Sequence, residues 1–245
     1  DCWLKVDTGM ARLGFLADDT SAALARLERL PQVGTIRWMS HFANADDPQN
    51  EGTEAQLARF GTLVDTTHER SLPNSAATLR GLEQHADWIR PGIMLYGASP
   101  LLDDADTPPL MPAMTLEAAL VSVKRLPAGH GVGYGSRFVC PEAMPVGIIS
   151  LGYGDGYPRH APDGTPVRIG GRTATLIGRV SMDMMAVDLR AVPDAGIGER
   201  VILWGDTPLA TTIASACDTI SYELFCRLTP RVERVYRRGG VDGQG

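Results

Sequence analysis

Lysines and paired cysteine motifs are scarce in this chain of 245 residues. Of its 23 basic residues only Lys5 and Lys124 are lysines, so chemistry that requires a side-chain amine has two candidates. The four cysteines show no Cys-x-x-Cys spacing and no histidine at zinc-finger distance. This excludes the common zinc motifs, and we predict no metal site. Cysteines of this kind are typical of reduced thiols, so we expect a reducing, cytoplasmic location.

Long apolar runs and an excess of basic charge are also missing. No run approaches the roughly 20 apolar residues that cross a bilayer, and the start of the chain does not resemble a signal peptide. Acidic residues outnumber basic ones by 29 to 23, giving a net charge of -6, which argues against nucleic acid as the main partner. With 44% hydrophobic residues, the composition is that of a globular protein with a sizeable core.

The first part of the chain alternates strand-like runs with amphipathic helical stretches, as parallel βα units do. Strands are predicted at 4–7, 36–39 and 93–96, and helices after Asp18, from Thr53 with a Thr53–Gln56 capping box, and from Asn74–Ser75. About four units are present, whereas a complete barrel has eight and runs to about 250 residues. We therefore predict an α/β fold with the C-terminal part of a (β/α)8 TIM-type barrel at residues 1–110.

A half-barrel exposes two sheet edges and an unfilled interior, so it is a poor candidate for an independently stable fold. We expect either upstream sequence or another polypeptide to complete it.

The composition changes around residues 102–113 to an Asp- and Pro-rich stretch that is typical of a linker. Beyond it, β-branched segments separated by glycine turns predict a mostly β C-terminal domain at 111–245. The predicted features are strands at 146–151, 173–180 and 200–204, a hairpin turn at Gly170–Gly171, and one helix from Pro208 with Leu209, Ile213 and Cys217 on one face.

Polar and charged residues follow the predicted strands of residues 1–110, where barrels carry their functional groups. They are Lys5, Arg12, His41, Asn74–Ser75 and Arg90–Gly92. Taken singly, His41 could be a packed or surface histidine, Ser75 a helix cap and Arg90 an exposed guanidinium. Together they indicate an anion site, because glycine amides and helix N-termini hold a phosphate beside a fixed positive charge.

Two glycine-rich segments mark the β domain. Gly152–Arg159 places Tyr153 between glycines, where its phenol can face a cavity and move a proton if a nearby cation lowers its pKa. An ordinary glycine-rich turn with packing aromatics is an equal alternative. Gly178–Asp183 is by itself compatible with a strand that ends in a polar turn.

Six segments in order carry a family resemblance. They are Lys5–Phe15, Ser40–Ala43, Asn74–Ser75, Arg90–Gly97, Gly152–Arg159 and Gly178–Asp183. Over essentially the whole chain they resemble the alanine racemases, pyridoxal-phosphate enzymes with a barrel followed by a β domain. The resemblance implies interconversion of L- and D-alanine by two-base proton transfer, with pyridoxal 5'-phosphate as cofactor. It also implies about three further strands and helices upstream of Asp1.

The resemblance assigns the cofactor-binding residues by position. Arg90 matches the arginine that hydrogen-bonds the pyridine nitrogen, and a guanidinium is too weak an acid to protonate that ring, which suppresses side reactions such as transamination. His41 matches the histidine that lies beneath the ring and bonds that arginine. The remaining cofactor-binding candidates are Asn74, Ser75, Gly92, Ile93 and Tyr222.

The resemblance also implies a homodimer with a shared active site. Tyr153 matches the catalytic tyrosine, which the partner subunit supplies and which His41 links to Arg90. The substrate-binding candidates are Arg12, Met182, Asp183 and Tyr134. Lys5 matches a lysine that is carbamylated in many members, where its carboxylate orients the arginine corresponding to Arg12. A bare ammonium there would repel that guanidinium.

One expected group has no match. The family forms its Schiff base through a lysine in a Lys-x-x-x-Tyr-Gly-x-Gly type segment, and residues 1–245 contain none. Lys124 is predicted to be structural, so we expect this stretch by itself to be inactive. Three interpretations stay open: part of an alanine racemase, an inert scaffold, and a related racemase acting on serine or a broader set. Supply of D-alanine and breakdown of alanine are equally compatible directions.

Overall fold

A computed structural model describes residues 1–82, 86–102 and 108–237. It divides the chain into two compact units, Asp1–Ala113 and Met114–Gly245. Residues 103–107 of the Asp- and Pro-rich stretch predicted to be a linker lie outside the described residues. Among those described, no helix has the length and apolar character that a membrane span requires.

The first unit is a parallel sheet with helices in its connections. Its elements are β1 Cys2–Lys5, α1 Ala17–Glu28, β2 Ile36–Met39, α2 Gly52–Leu63, β3 Arg70–Ser71 and α3 Ser75–Leu79, and its strand order is β1-β2-β3. Alternate strand residues such as Leu4 and Trp38 are buried with Phe60 of α2 in one apolar core. The functional candidates lie at or just after the ends of these strands, with Lys5 at the end of β1 and His41 after β2.

Residues 93–96 form a 3₁₀ helix instead of the predicted strand. The fourth strand position is occupied by a single parallel bridge between Ser71 and Trp88. Two of the amides that a strand would offer to a ladder, those of Gly92 and Met94, donate to the Ser75 hydroxyl instead, at 2.7 and 3.4 Å. Side-chain bonding of these amides therefore favours the turn over the strand.

The predicted Thr53–Gln56 capping box is also wrong. Helix α2 begins at Gly52 with Glu51 in the cap position, and no side chain caps it. Gln56 is buried and binds residues far away in the sequence. Helix α3 begins where it was predicted, with the Asn74 side chain accepting from the amide of Ala77.

The second unit is a closed barrel. Its strands are β4 Leu116–Leu126, β7 Met144–Ile149, β8 Pro166–Ile169, β9 Arg172–Ile177, β10 Met185–Asp188 and β11 Arg200–Trp204, in the order β10-β7-β4-β11-β8-β9. A separate two-stranded ribbon pairs β5 Gly131–Val132 with β6 Phe138–Val139. The predicted hairpin is present, with Gly170 and Gly171 at φ 52° and 76° joining β8 to β9.

Two helices, rather than the one predicted, pack with this barrel: α4 Ala210–Ala216 and α5 Ser221–Arg227. On α4, Ile213 is buried and Cys217 is the buried cap, but Leu209 precedes the helix and is exposed. The short α5 has one fully buried apolar side chain, Leu224, so its sequence carries little helical periodicity.

Candidate active site

Arg90 is the most constrained charged side chain of the first unit. Its Nη1 donates to the Ser71 hydroxyl, and its Nη2 lies 2.6 Å from the carbonyl oxygen of Ser40 and 3.2 Å from that of Leu72. Burial lowers the pKa of this half-buried guanidinium, which still remains charged at neutral pH. Within the part of the chain that the structure describes, Nε has no partner. Arg90 therefore presents a fixed donor from the ends of β2 and β3.

His41 lies directly against this guanidinium, with its Nδ1 3.2 Å from Nη2 of Arg90. Because a guanidinium has only donors, Nδ1 must accept, which places the ring proton on Nε2. Burial, followed by the positive charges of Arg90, Lys5 and Arg12, lowers the pKa of His41 to about 4. The imidazole is consequently neutral at physiological pH, with a defined tautomer.

Lys5 stands at the end of β1 in a positive environment. Partial burial, then the charges of Arg12 and Arg90, lower the pKa of its amine, and Asp7 partly opposes them. Arg12 itself is exposed on the loop that follows. Oδ1 of Asp7 accepts from the amides of Gly9, Met10 and Ala11, at 2.9 to 3.1 Å, and so shapes that loop.

The predicted phosphate-binding residues form a small cluster. The buried Ser75 hydroxyl accepts from the amides of Gly92 and Met94, and Ile93 is buried beside them. The hydroxyl proton of Ser75 is not used by another described residue. The helix-cap role that was the alternative for Ser75 belongs instead to Asn74, which caps α3 and donates to the carbonyl of Phe42. Ser75 is the side chain of this group whose hydrogen remains free for an anion.

In the second unit, Tyr153 opens a 3₁₀ turn that is held by the backbone. The amides of Tyr153 and Gly154 donate to the carbonyls of Ser181 and Met182, at 3.0 and 2.8 Å. A Cβ on Gly152 would lie 2.3 Å from the Ser181 carbonyl oxygen, so only glycine permits this approach. The predicted Tyr153 and Met182 segments thus lie against each other, and the Tyr153 side chain is exposed.

Asp183 is joined to the Tyr153 turn through Arg231. Nη2 of Arg231 lies 2.5 Å from the Asp183 carboxylate, and its Nε lies 3.2 Å from that of Asp155. Asp155 also accepts from the amide of Gly152 at 2.9 Å. Arg231 belongs to none of the sequence motifs described above, because its partners Asp183 and Asp155 lie 48 or more residues away in the sequence.

The last two predicted site residues are exposed aromatics. Tyr134, 73% exposed, lies on a 3₁₀ turn between Gly133 and Gly135, whose φ angles are 69° and 71°. Tyr222 is exposed near the start of α5. Within the second unit the structure brings Tyr153, Met182 and Asp183 together, whereas no contact described here includes Tyr134 among them.

The structure also shows participants that the sequence analysis missed in the first unit. Ser40, Ser71 and the Leu72 carbonyl hold Arg90, and Gln56 holds the backbone of His41. Ser40 and Ser71 could have been found, since each ends a strand at the position that the functional candidates share. Gln56 lies inside a helix and gave no such signal.

Both parts of the chain match domain models of one known family. The N-terminal domain model of alanine racemases matches residues 1–100, and the C-terminal domain model matches residues 113–236. The chain is 51% identical over 245 residues to the alanine racemase of Halorhodospira halophila, covering 99% of this chain and 66% of that protein.

Solved structures give the same result. The crystal structure of the biosynthetic alanine racemase from Pseudomonas aeruginosa matches with a TM-score of 0.92 and 48% identity, covering 96% of this chain and 66% of that one. Alanine racemase from Streptomyces coelicolor matches with a TM-score of 0.87 and 37% identity, covering 98% and 66%. The chain thus spans about two thirds of the length of these relatives. Its fold is theirs, a TIM-barrel-like N-terminal domain followed by a β domain.

Proposed function

The chain belongs to the alanine racemase family, and on that premise we propose that the protein containing it interconverts L- and D-alanine with pyridoxal 5'-phosphate. The observation that carries this proposal is the Arg90 site. A guanidinium held by three oxygen acceptors and a neutral histidine can turn one fixed donor towards a ring nitrogen without giving up its proton.

The residues present fit the cofactor. Nε of Arg90 is a donor without a described partner and suits the pyridine nitrogen. The Ser75 hydroxyl suits the phosphate together with the Gly92–Ile93 backbone, whose Gly92 amide already donates to that hydroxyl, and His41 offers a neutral planar ring to lie beneath the pyridine. We assign Tyr222 to the phosphate as well, on the resemblance. When bound, the cofactor withdraws electrons from the α-carbon of the amino acid and makes its proton acidic.

We propose that Lys5 is carbamylated. The neutral amine is the form that attacks CO2, and the lowered pKa of Lys5 increases its share. The attack forms an N–C bond, gives a carbamate and releases one proton. The resulting anion would replace a cation beside Arg12 and orient that guanidinium towards the substrate carboxylate.

We propose that Tyr153 moves the α-proton on one face of the substrate. Its side chain is exposed on a turn that backbone hydrogen bonds hold, so it is available to a site formed with another subunit. Met182 and Asp183, supplied by the same subunit as Tyr153, then lie near the substrate carboxylate, and Tyr134 lines the route by which substrate arrives. The protein is a homodimer in this proposal, with the partner subunit's tyrosine completing each site.

The second proton-transfer group is a lysine in the family, and neither Lys5 nor Lys124 matches it. We therefore propose that residues 1–245 do not racemise alanine by themselves. We further propose a cytoplasmic location, which the four free thiols support.

The deciding experiment uses the protein encoded by the complete gene. It is reduced with borohydride in the presence of pyridoxal phosphate, digested and mapped by mass spectrometry, while racemisation is assayed separately. We expect one adduct on a lysine other than Lys5 and Lys124, together with turnover of alanine. No adduct and no turnover would overturn the proposal, and faster turnover of serine or lysine would indicate the related racemase.

Replacement of Tyr153 by phenylalanine tests the proposed base. We expect racemisation to fall by about 100-fold or more, since a positioned acid–base group contributes about 10²- to 10⁴-fold, while the absorbance of the bound cofactor is retained. Tyr236→Phe is the matched control, because Tyr236 is an exposed tyrosine of the same unit. Wild-type turnover in the Tyr153→Phe enzyme would remove Tyr153 from the mechanism.

A further inference from the structure

Gln56 of helix α2 joins two parts of the first unit that both carry proposed site residues. Its side chain is buried, with 3% of its surface exposed. We propose that Gln56 is a positioning residue that sets the place of His41 and of the Arg12 loop, residues 7–15, at the same time. This inference rests on the proposed function and adds to it a residue that contacts neither cofactor nor substrate.

All the hydrogen-bonding groups of the Gln56 amide are used. Its Oε1 accepts from the amide of Ala43 at 2.8 Å, and its Nε2 donates to the carbonyl of His41 at 2.9 Å and to the hydroxyl of Thr8 at 3.1 Å. A primary amide has two N–H donors, so both are satisfied here. Gln56 therefore fixes the backbone on both sides of Phe42, just after β2.

The Thr8 hydroxyl that accepts from Gln56 belongs to a buried chain of hydrogen bonds with the Ser40 hydroxyl and the Val6 carbonyl. The Ser40 hydroxyl donates to the carbonyl of Val6 at 2.9 Å, so it must accept from the Thr8 hydroxyl, 2.8 Å away. Thr8 in turn has used its proton and must accept from Gln56. Each donor has one acceptor, and reversal of any bond would leave a buried group without a partner.

Thr8 is the anchor of the Arg12 loop. It is buried, and its carbonyl accepts from Nη1 of Arg59, which lies one turn after Gln56 on the same helix. The loop returns to β1 at Phe15, whose amide donates to the carbonyl of Lys5. Movement of Thr8 would therefore displace the loop that presents Arg12.

His41 is the other end of the bridge. Gln56 binds its carbonyl, and its ring contacts Arg90, whose Nη2 also binds the Ser40 carbonyl. The backbone of residues 40–43 thus carries the histidine and one of the acceptors that hold the arginine. A shift of this segment would change the position of the His41 imidazole relative to the Arg90 guanidinium, the two groups proposed to contact the cofactor.

The isosteric change Gln56→Glu separates positioning from packing. A carboxylate keeps the acceptor for the Ala43 amide but replaces the two donors with an oxygen that faces the His41 carbonyl. Repulsion between these oxygens should push residues 40–43 and Thr8 apart without creating a cavity. Gln49→Glu is the matched control, since it adds the same charge on an exposed loop of the same unit.

The experiment measures steady-state racemisation by the cofactor-loaded, full-length enzyme, with kcat calculated per bound cofactor. For Gln56→Glu we expect kcat to fall and KM for alanine to rise, each on the order of 10-fold, because small misplacements of catalytic groups are costly. Gln49→Glu should match the wild type. Thr8→Val keeps the Gln56 bonds to His41 and Ala43 but removes the hydroxyl that joins Gln56 to Ser40 and anchors the Arg12 loop, so it should raise KM more than it lowers kcat.

Three results would overturn the inference. A lower melting temperature with unchanged kcat and KM per bound cofactor would show that Gln56 serves packing only. Equal effects of Gln56→Glu and Gln49→Glu would show that charge alone acts, and a loss of kcat without a change in KM for Thr8→Val would break the assigned link to Arg12. If Gln56→Glu does not fold, the uncharged Gln56→Met is measured in its place. Wild-type enzyme without racemase activity would instead reject the proposed function.

Discussion

The open sheet of the first unit leaves two of its three tryptophans partly exposed, whereas the closed barrel of the second buries its tryptophan. Trp3 and Trp88 keep 38% and 46% of their surface exposed and hold the Arg37 guanidinium 5.6 Å from each ring. Trp204 of the barrel is fully buried and stacks on Tyr157 with ring centroids 5.9 Å apart. Trp38 of the first unit is also buried, with Phe60 of α2, so the open sheet covers one tryptophan and leaves two exposed, whereas the barrel covers Trp204 in its core.

The same contrast applies to the site candidates. In the first unit, His41, Lys5 and Arg90 are partly buried, and burial is the largest cause of each lowered pKa. In the second unit, Tyr153 and Met182 are exposed on turns that backbone hydrogen bonds hold. The first unit thus controls the charge of its groups, whereas the second controls their position.

The largest expected effect breaks the positional control of the second unit. Gly156 ends the Tyr153 turn at φ 108°, and a Cβ there would lie 2.2 Å from the Arg227 carbonyl oxygen. We expect Gly156→Ala to lower the free energy of unfolding by about 3 kcal/mol or more, through backbone strain and overlap. Urea denaturation followed by tryptophan fluorescence measures this change.

Gly164→Ala is its control, because Gly164 has φ 91° but open space around the position of a Cβ. It should cost about 1–2 kcal/mol, from backbone strain only. Equal costs for the two variants would show that the contact with Arg227 does not restrain the turn.

A second prediction tests the control of charge in the first unit. We expect ¹⁵N NMR of His41 to show the Nε2–H tautomer and a pKa of about 4, against an ordinary value of 6.5. Because the unfolded chain binds this proton more tightly, His41 contributes stability above pH 6.5 that is lost as the pH falls through about 4. The stability of His41→Asn should decrease less over the same range. A pKa near 6.5 would contradict burial as the main cause.

The smallest expected effect concerns Arg231, the side-chain link in the second unit. Arg231→Met removes the contacts to Asp155 and Asp183, but the backbone bonds of Tyr153 and Gly154 remain. We expect KM for alanine to rise about fivefold or less and the melting temperature to stay close to that of the wild type, as for other exposed ion pairs. Arg227→Met, which breaks an ion pair with Glu223 four residues away, is the control. A loss of turnover comparable to that of Tyr153→Phe would show that position depends on the side chain.

Local signals in the sequence predicted much of the fold. Strand β2 lies at the predicted residues 36–39, α3 begins at Asn74–Ser75 as predicted, and the Gly170–Gly171 turn joins β8 to β9 as expected. These features depend on neighbouring residues, which a single sequence displays. The strand predicted at 93–96 was wrong, because a distant hydroxyl, that of Ser75, binds the amide of Met94 within it and the amide of Gly92 just before it.

The candidate site divides in the same manner. Arg90 and His41 could be predicted as neighbours, since both follow strand ends on one edge of a parallel sheet. Gln56 was assigned to a local capping box, yet its partners lie 13, 15 and 48 residues away. Arg231 likewise binds Asp183 across 48 residues. Such long-range polar contacts leave no periodic trace, so they required the structure.

Ring closure of the barrel has a consequence for how the second unit comes apart. Each of the six barrel strands has a neighbour on both sides, so no barrel strand can separate without breaking two ladders at once. We therefore expect the barrel strands to exchange their amide hydrogens together, in a single slow process. A ring without edges also offers no strand for a second chain to extend, which protects the barrel from aggregation through its own sheet.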